Sequence, residues 1–205
     1  MKKLFVLVVA FVLMLAMTAC GGGSGSGSEG SGGGNDASTK TLGYFNEYVI
    51  GGEYTMEMQM EVDGVSTTTK SAVKGDMLYS ETTAGGMTSI MIMKDNEQYV
   101  IDPASKTCIK MSMEIDSMTE MFEDEAEDYA AAVATGTVDI GGVTYEYEEF
   151  VVEDTNVKYC FDGSDLKYII TTMDGQEYTM EIISMEKGAD ASLFEIPSGY
   201  TMMEY

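Results

Sequence analysis

Glu53–Val62 reads EYTMEMQMEV, and this stretch decides the fold. Tyrosine, methionine and valine occupy every second position, with glutamate, threonine and glutamine between them. Because successive side chains of a β-strand point to opposite faces, this alternation predicts a strand with one buried and one exposed face. Asp63 and Gly64 follow directly and are typical of a hairpin turn, so a second antiparallel strand is expected next.

Short runs of the same kind, separated by turn residues, continue along most of the chain. Such a series predicts an antiparallel meander and a mainly β (α+β) fold. The ten predicted strands span residues 53–62, 65–73, 77–83, 87–94, 97–101, 107–111, 143–152, 157–161, 166–173 and 176–185.

One main helix is predicted to interrupt the strands after Ser117, which forms a capping box with Glu120. Apolar residues then recur at helical spacing as far as Val133, and Gly136 is expected to end the helix. Its acidic side is expected to be solvated and not to bind calcium. Its apolar side is expected to pack on the sheet. A short helical turn is expected at 189–194.

The chain contains 19 methionines, which is an unusually high number. Methionine is flexible and polarizable, so it fills irregular apolar space and adaptable binding surfaces. Any one of these side chains is expected to be ordinary core, whereas the group as a whole suits an adaptable pocket. The candidate pocket consists of Met56, Met58, Met60, Met91, Met93, Met118, Met121 and Phe122.

The N-terminus has the pattern of a secretory signal peptide. Lys2 and Lys3 precede an apolar run over residues 4–17, which is short for a bilayer-spanning helix of roughly 20 residues. Residues 17–20 read MTAC and resemble the lipobox of bacterial lipoproteins. This resemblance implies cleavage before Cys20 and acylation of its thiol, although an uncleaved membrane anchor is the alternative.

The sequence divides into three parts. Residues 1–19 are expected to be the signal peptide. Residues 20–40 comprise the lipidated cysteine and a flexible Gly/Ser linker, and residues 41–205 form one domain. The protein is therefore expected outside the cytoplasm, anchored to the cell membrane by lipid.

Two further cysteines, Cys108 and Cys160, lie at positions on the polar sides of predicted strands. In an exported protein such a pair either forms a disulfide or remains as two unpaired thiols. The spacing does not decide between these, because nothing in the sequence shows that the two strands are neighbours.

Charge and composition exclude several function classes. The formal net charge is −24, with 11 basic and 35 acidic residues, which argues against nucleic-acid binding. There is no histidine, so a Ser-His or Cys-His catalytic pair is excluded. Glu146, Glu148 and Glu149 could supply the paired carboxylates of a glycosidase, but their spacing singles out no pair. No metal, cofactor or enzymatic activity is predicted.

The order of elements resembles the LolA/LolB-like lipoproteins of bacteria. The resemblance rests on the lipobox, the linker, the long meander with a helix part way along, and the ending LFEIPSGY at residues 193–200. It implies a curved antiparallel half-barrel of about ten strands, with the main helix on its concave apolar face. It also implies a role in holding or carrying acyl chains, lipids or lipoproteins.

Two functions follow as hypotheses. The first is a carrier that binds a hydrophobic ligand in an apolar concave pocket. The second is a non-enzymatic surface adaptor that binds a protein partner through its sheet edge or acidic face. A continuous apolar pocket of several hundred Å³ would favour the carrier, and a filled interior would favour the adaptor. The sequence indicates no oligomeric state.

Overall fold

The computed structural model describes residues 39–49, 52–62, 64–112, 129, 131–152, 155–173 and 175–204. Within these ranges the protein is mainly β, as predicted. Twelve strands form one open sheet. The signal peptide, Cys20 and the Gly/Ser linker lie outside the described residues, and so do Met118, Met121 and Phe122.

The strands follow the predicted meander closely. They are β1 (Glu53–Val62), β2 (Val65–Lys74), β3 (Met77–Ala84), β4 (Met87–Lys94), β5 (Glu97–Asp102), β6 (Thr107–Ser112), β7 (Ala134–Ile140), β8 (Val143–Val152), β9 (Thr155–Asp162), β10 (Asp165–Met173), β11 (Gln176–Lys187) and β12 (Thr201–Glu204).

The first strand lies in the middle of the sheet. The spatial order is β12-β6-β5-β4-β3-β2-β1-β11-β10-β9-β8-β7, so β1 joins the two halves of the meander by pairing with both β2 and β11. The pairs are antiparallel except β12 with β6, which is parallel. The register shifts twice, between Glu57 and Met58 of β1 and between Leu166 and Tyr168 of β10.

Two strands were not predicted. β7 occupies Ala134–Ile140, where the sequence analysis extended the main helix to Gly136; that expectation is wrong for these residues. β7 pairs with β8 along its whole length, with a turn at Gly141 and Gly142 between the two strands, and this pairing favours the strand over the helix here. β12 is the second addition, so the predicted count of ten strands is also wrong. Residues 117–128 of the predicted helix lie outside the described residues.

The described helices are short. Helix α1 (Lys40–Tyr44) continues into a π-helical turn (Phe45–Val49), and a 3₁₀ turn (Ala191–Phe194) lies near the C-terminus, inside the predicted 189–194 turn. Thr39 and Lys40, which the sequence analysis assigned to the linker, belong to the first of these elements. No described helix is long and apolar enough to cross a membrane.

Each face of the sheet carries its own apolar cluster. The larger cluster contains the buried side chains of β1 together with Phe45 and Val49. The smaller cluster lies on the opposite face of β2 to β6, where Phe194 of the 3₁₀ turn packs with Tyr79 and Ile92. Lys94 Nζ donates to the Phe194 carbonyl oxygen at 2.8 Å, which fixes the C-terminal segment on this second face.

Candidate functional site

The predicted pocket residues that the structure describes lie together on one face of the sheet. Met56, Met58 and Met60 alternate along β1, and Met91 and Met93 alternate along β4. All five are at most 7% exposed and belong to the larger cluster. We call the side of the sheet that carries these five residues the methionine face.

Strand register explains why methionines from β1 and β4 share a face. Met56 is paired with Ser71 of β2, Ser71 with Ser80 of β3, and Ser80 with Met91 of β4. Directly paired residues in neighbouring strands point to the same side of a sheet. The methionines therefore form two ridges, on β1 and β4, with β2 and β3 between them.

The segment Lys40–Val49 covers part of the methionine face. Phe45 and Val49 are each 2% exposed and pack in the larger cluster, and Leu42 lies partly buried against it. Thr39 Oγ1 accepts from the backbone N–H of Leu42 at 3.1 Å, which caps the first turn. We call these ten residues the covering segment.

Aromatic contacts extend the packing of the covering segment across the neighbouring strands. The Phe45 ring stacks on Tyr129 with 4.4 Å between ring centroids. Tyr129 in turn makes edge-to-face contacts with Phe150 of β8 and Tyr159 of β9. Tyr159 donates its hydroxyl proton to Tyr129 Oη at 3.0 Å, so the polar end of the buried ring is satisfied.

Glu148 of β8 holds the N-terminal end of the covering segment. Its two carboxylate oxygens accept from the backbone N–H groups of Lys40 and Thr41, each at 2.8 Å, and from Thr41 Oγ1 at 2.7 Å. A carboxylate at this end satisfies N–H groups that have no partner inside the helix. We call these three hydrogen bonds the Glu148 clasp.

Glu146 adds an ion pair beside this clasp. Lys40 Nζ donates to the Glu146 carboxylate and also to the Gly163 carbonyl oxygen, the latter at 3.0 Å. The hydrogen bond from Lys40, together with its positive charge, lowers the pKa of the Glu146 carboxyl. Glu146 and Glu148, two of the carboxylates considered for a glycosidase pair, thus both bind the covering segment.

Little space remains beneath the covering segment. The cavity enclosed there by Phe45, Val49, Met56 and their neighbours has a volume of about 10 Å³, close to that of one water-sized sphere. A second recess of about 360 Å³ is an open groove lined by Lys40, Gly136 and Glu146 among others, and of its described lining residues only Phe161 belongs to the larger cluster. At the covering segment, protein side chains therefore fill the predicted pocket.

A band of buried hydroxyl groups, which was not predicted from the sequence, lies between the two methionine ridges. Its five members are at most 7% exposed, and the period-two spacing of Thr67, Thr69 and Ser71 is the signal that could have revealed it. We call this set the hydroxyl band: Thr67, Thr69 and Ser71 of β2 with Ser80 and Thr82 of β3.

The two cysteines of the sheet are free thiols. Cys108 lies on β6 and Cys160 on β9, and seven strands separate β6 from β9 in the sheet, so the structure does not form the disulfide that the sequence left open. Both were expected on polar sides of their strands, yet both are fully buried. Burial raises the pKa of both thiols, that of Cys160 to about 11.

The described residues contain no group of three or more cysteine, aspartate or glutamate side chains placed to hold a metal ion. The acidic side of the predicted main helix, residues 120–128, lies outside this part of the chain.

Comparison with known proteins shows a likeness of fold only. No protein-family model and no curated protein matches the chain. The crystal structure of an uncharacterized conserved protein from Thermus thermophilus is similar, with a TM-score of 0.52 at 7% identity over 80% of this chain and 99% of that one. Two structures of PNGF-II have TM-scores of 0.35 at 15% and 13% identity, over 75% of this chain and 31% of theirs. The first likeness concerns the fold alone, and the other two support no argument about function.

Proposed function

We propose that this chain is a lipid-anchored protein of the bacterial cell envelope that binds an acyl chain or another hydrophobic ligand on its methionine face. The anchor is a lipid on Cys20, and the domain is displayed outside the cytoplasm. The protein binds without catalysing a reaction, as the resemblance to LolA/LolB-like lipoproteins implies. The sheet is then a half-barrel, and the two register shifts support this, because such irregularities bend strands.

The observation that carries the proposal is the concentration of buried methionines on one face of the sheet, of which the part at β1 lies beneath a short covering segment. Five methionines on β1 and β4 share one face, which gives that face an adaptable, polarizable surface. The ten residues that cover part of it are too few to form a stable helix in isolation, since isolated helices below about 12 residues are marginal. Contacts with the sheet therefore decide whether this segment stays in place.

Binding on this face requires the covering segment to give way, because the cavity beneath it is only about 10 Å³. The side chains to be replaced are Phe45 and Val49, both apolar and both buried. An acyl chain can replace their contacts with the methionines at little cost, since one apolar contact is exchanged for another. Polar contacts hold the segment at both ends: the Glu148 clasp and the Lys40–Glu146 ion pair at the N-terminal end, and an ion pair between Lys187 and Glu47, at 3.1 Å, near the C-terminal end. These contacts must open before the segment can leave the sheet.

The proposal can be tested by identifying lipids that co-purify with the full chain. We expect native mass spectrometry of the protein, extracted from bacterial membranes in mild detergent, to show adducts with the mass of a lipid. Phe45→Ala enlarges the space beneath the covering segment and should raise their occupancy. Met202→Ala is the matched control and should leave it unchanged, because Met202 is 43% exposed and is paired with Cys108 of the smaller cluster, on the opposite face of the sheet. Absence of adducts on the native chain and on Phe45→Ala, with no uptake of a fluorescent fatty acid, would refute the proposal.

A second candidate function, protein adaptor, is favoured by two observations: side chains fill the space beneath the covering segment, as expected of an adaptor and not of a carrier, and β7 is an exposed edge strand. This strand ends the sheet, and its residues 134–137 are exposed. Gly136 has no side chain, so its exposure is exposure of the backbone itself, which another strand could pair with. Thr137→Lys would discourage such pairing. If it abolished a partner interaction seen in cells while lipid occupancy was unchanged, the adaptor would replace the carrier as the main function.

A further inference from the structure

The hydroxyl band is a polar strip between the two methionine ridges. Its residues occupy the positions of β2 and β3 that point the same way as the methionines of β1 and β4. They are also smaller than the methionines on either side, so the band is a shallow trough between two ridges. Buried hydroxyls are costly unless they are hydrogen-bonded, so apolar side chains would serve a plain core better.

Ser71 is the member of the band whose hydroxyl oxygen is completely buried and has no hydrogen-bond partner in the described part of the chain. Thr69 and Thr82 satisfy one another, with 3.2 Å between their hydroxyl oxygens. Ser71 Oγ is buried, with the residue only 2% exposed, and it makes no hydrogen bond to any described residue. Ser80 is paired with it across the strands, so two hydroxyls point to the same place in the trough.

Charged side chains of the neighbouring strands lie on the other face. Lys70 and Lys74 of β2 and Lys94 of β4 alternate with the residues of the methionine face. Consistent with this, Lys74 pairs with Glu53 and Lys94 donates to the Phe194 carbonyl oxygen. A carboxylate or phosphate brought to the band would therefore be buried without a cation, which is strongly unfavourable. The net charge of −24 also repels anions.

We infer that the methionine face binds an amphiphile whose polar group is uncharged, such as the hydroxyl and ester groups of a monoacylglycerol. That polar group hydrogen-bonds to Ser71 and Ser80, and the acyl chain lies along the methionine ridges of β1 and β4. This inference rests on the proposed function and adds the chemical class of the ligand.

The test is a competition between amphiphiles that share one acyl chain. Equal amounts of 1-monopalmitoylglycerol, palmitate and palmitoyl-lysophosphatidylglycerol are added to the full chain in mild detergent, and the three adducts are measured by native mass spectrometry. We expect monopalmitoylglycerol to exceed each anion at neutral pH. Palmitate should gain when the pH is lowered and its carboxylate becomes neutral.

Ser71→Ala tests the location of the polar group. Loss of one hydrogen bond should lower occupancy by monopalmitoylglycerol about two- to tenfold. The same change should raise, or leave unchanged, the melting temperature of the ligand-free chain, because an unpaired buried hydroxyl is removed. If the serine had only a structural role, occupancy and melting temperature would change in the same direction. Thr171→Val is the matched control. Thr171 Oγ1 is also buried and without a described partner, but it lies on β10, three strands from β2.

The outcomes separate this inference from the proposed function. If no palmitoyl amphiphile binds, both fail. If palmitate or the lysophospholipid binds as well as monopalmitoylglycerol at neutral pH, the carrier stands and the uncharged ligand class is overturned. If monopalmitoylglycerol is preferred but Ser71→Ala behaves like Thr171→Val, the hydroxyl band does not bind the polar group, and the inference is likewise overturned.

Discussion

Glu148→Gln should release the covering segment while leaving the sheet intact. The wild-type carboxylate accepts three hydrogen bonds from Lys40 and Thr41. The amide of glutamine is nearly isosteric, but it removes the negative charge and places an NH₂ group against one of the backbone N–H donors. Hydrogen bonds to a charged acceptor contribute about 1.5–3 kcal/mol each, and losing a helix N-cap costs about 0.5–2 kcal/mol.

Because the three hydrogen bonds share one side chain, their free energies do not add. We therefore take the upper value for loss of a helix cap, about 2 kcal/mol, as the free energy by which the substitution weakens the clasp. Because 1.4 kcal/mol corresponds to a factor of ten, local opening of the segment should increase roughly 30-fold. Backbone hydrogen exchange, followed by mass spectrometry on the full chain, measures this opening directly. Amides of residues 42–49 should exchange roughly 30-fold faster in the variant, whereas those of β2 to β4 should keep their rates.

Glu149→Gln is the matched control, because Glu149 is the next residue on β8 and its side chain lies on the opposite side of the strand. It should leave exchange in the covering segment unchanged. If Glu148→Gln accelerated exchange less than about threefold, or accelerated β2 to β4 equally, the clasp would not be what holds the segment. If exchange rose as expected but lipid occupancy did not, opening of this segment would not limit access to the methionine face.

Three further outcomes are expected. Met58→Ala should lower the free energy of unfolding by about 2–5 kcal/mol, because it truncates a core side chain that is 2% exposed. Met87→Ala, at an exposed side chain, should change it by less than about 0.5 kcal/mol. Urea titration measures both variants, and equal losses would argue against a tightly packed methionine face. Burial raises the pKa of the Cys108 thiol and, to about 11, that of the Cys160 thiol, so a thiol reagent at pH 8 should label neither in the folded chain and both after denaturation without reductant. Labelling of neither after denaturation would indicate a disulfide. The hydrogen bond and positive charge of Lys40 lower the pKa of the Glu146 carboxyl, so the ion pair stabilises the covering segment above the carboxyl's ordinary pKa and is lost as the pH falls through the lowered value. The protection of amides 40–44, taken relative to their intrinsic exchange rates at each pH, should therefore fall more steeply below pH 4 in the wild type than in Glu146→Gln, and parallel profiles would contradict this.

The strands were predictable because their signal is local. In Glu53–Val62 the alternation of methionine and polar residues determines which side of β1 is buried, and the structure has the same set inside. The same reasoning placed Met91 and Met93 correctly on one side of β4. Which strands are neighbours was not predictable, since pairing between β1 and β11 joins residues far apart in the chain.

The covering segment could have been found but was not. Thr39 is a good capping residue, and Leu42, Phe45 and Val49 follow at helical spacing, yet the nearby Gly/Ser tract favoured a linker. β7 was missed for a different reason. Its sequence ATGTVDI has a weak alternation and an internal glycine, so it becomes a strand only by pairing with β8.

The hydroxyl band and the cysteines show where local patterns mislead. Thr67, Thr69 and Ser71 are polar, yet register with the methionines of β1 places them inside. Cys160 also lies at a position that reads as polar, and it is buried with a tyrosine opposite it on each of the two neighbouring strands. In such strands the side that is buried depends on tertiary contacts that no single stretch of sequence contains.

The most direct test of the proposed ligand site is photo-crosslinking in cells. Bacteria expressing the full chain are fed a photoactivatable palmitate analogue, irradiated, and the modified peptides of the purified protein are identified by mass spectrometry. We expect crosslinks on peptides that contain Glu53–Val62 and Met87–Lys94, in addition to label on Cys20. Label confined to Cys20, or crosslinks only on the opposite face of the sheet, would contradict binding on the methionine face.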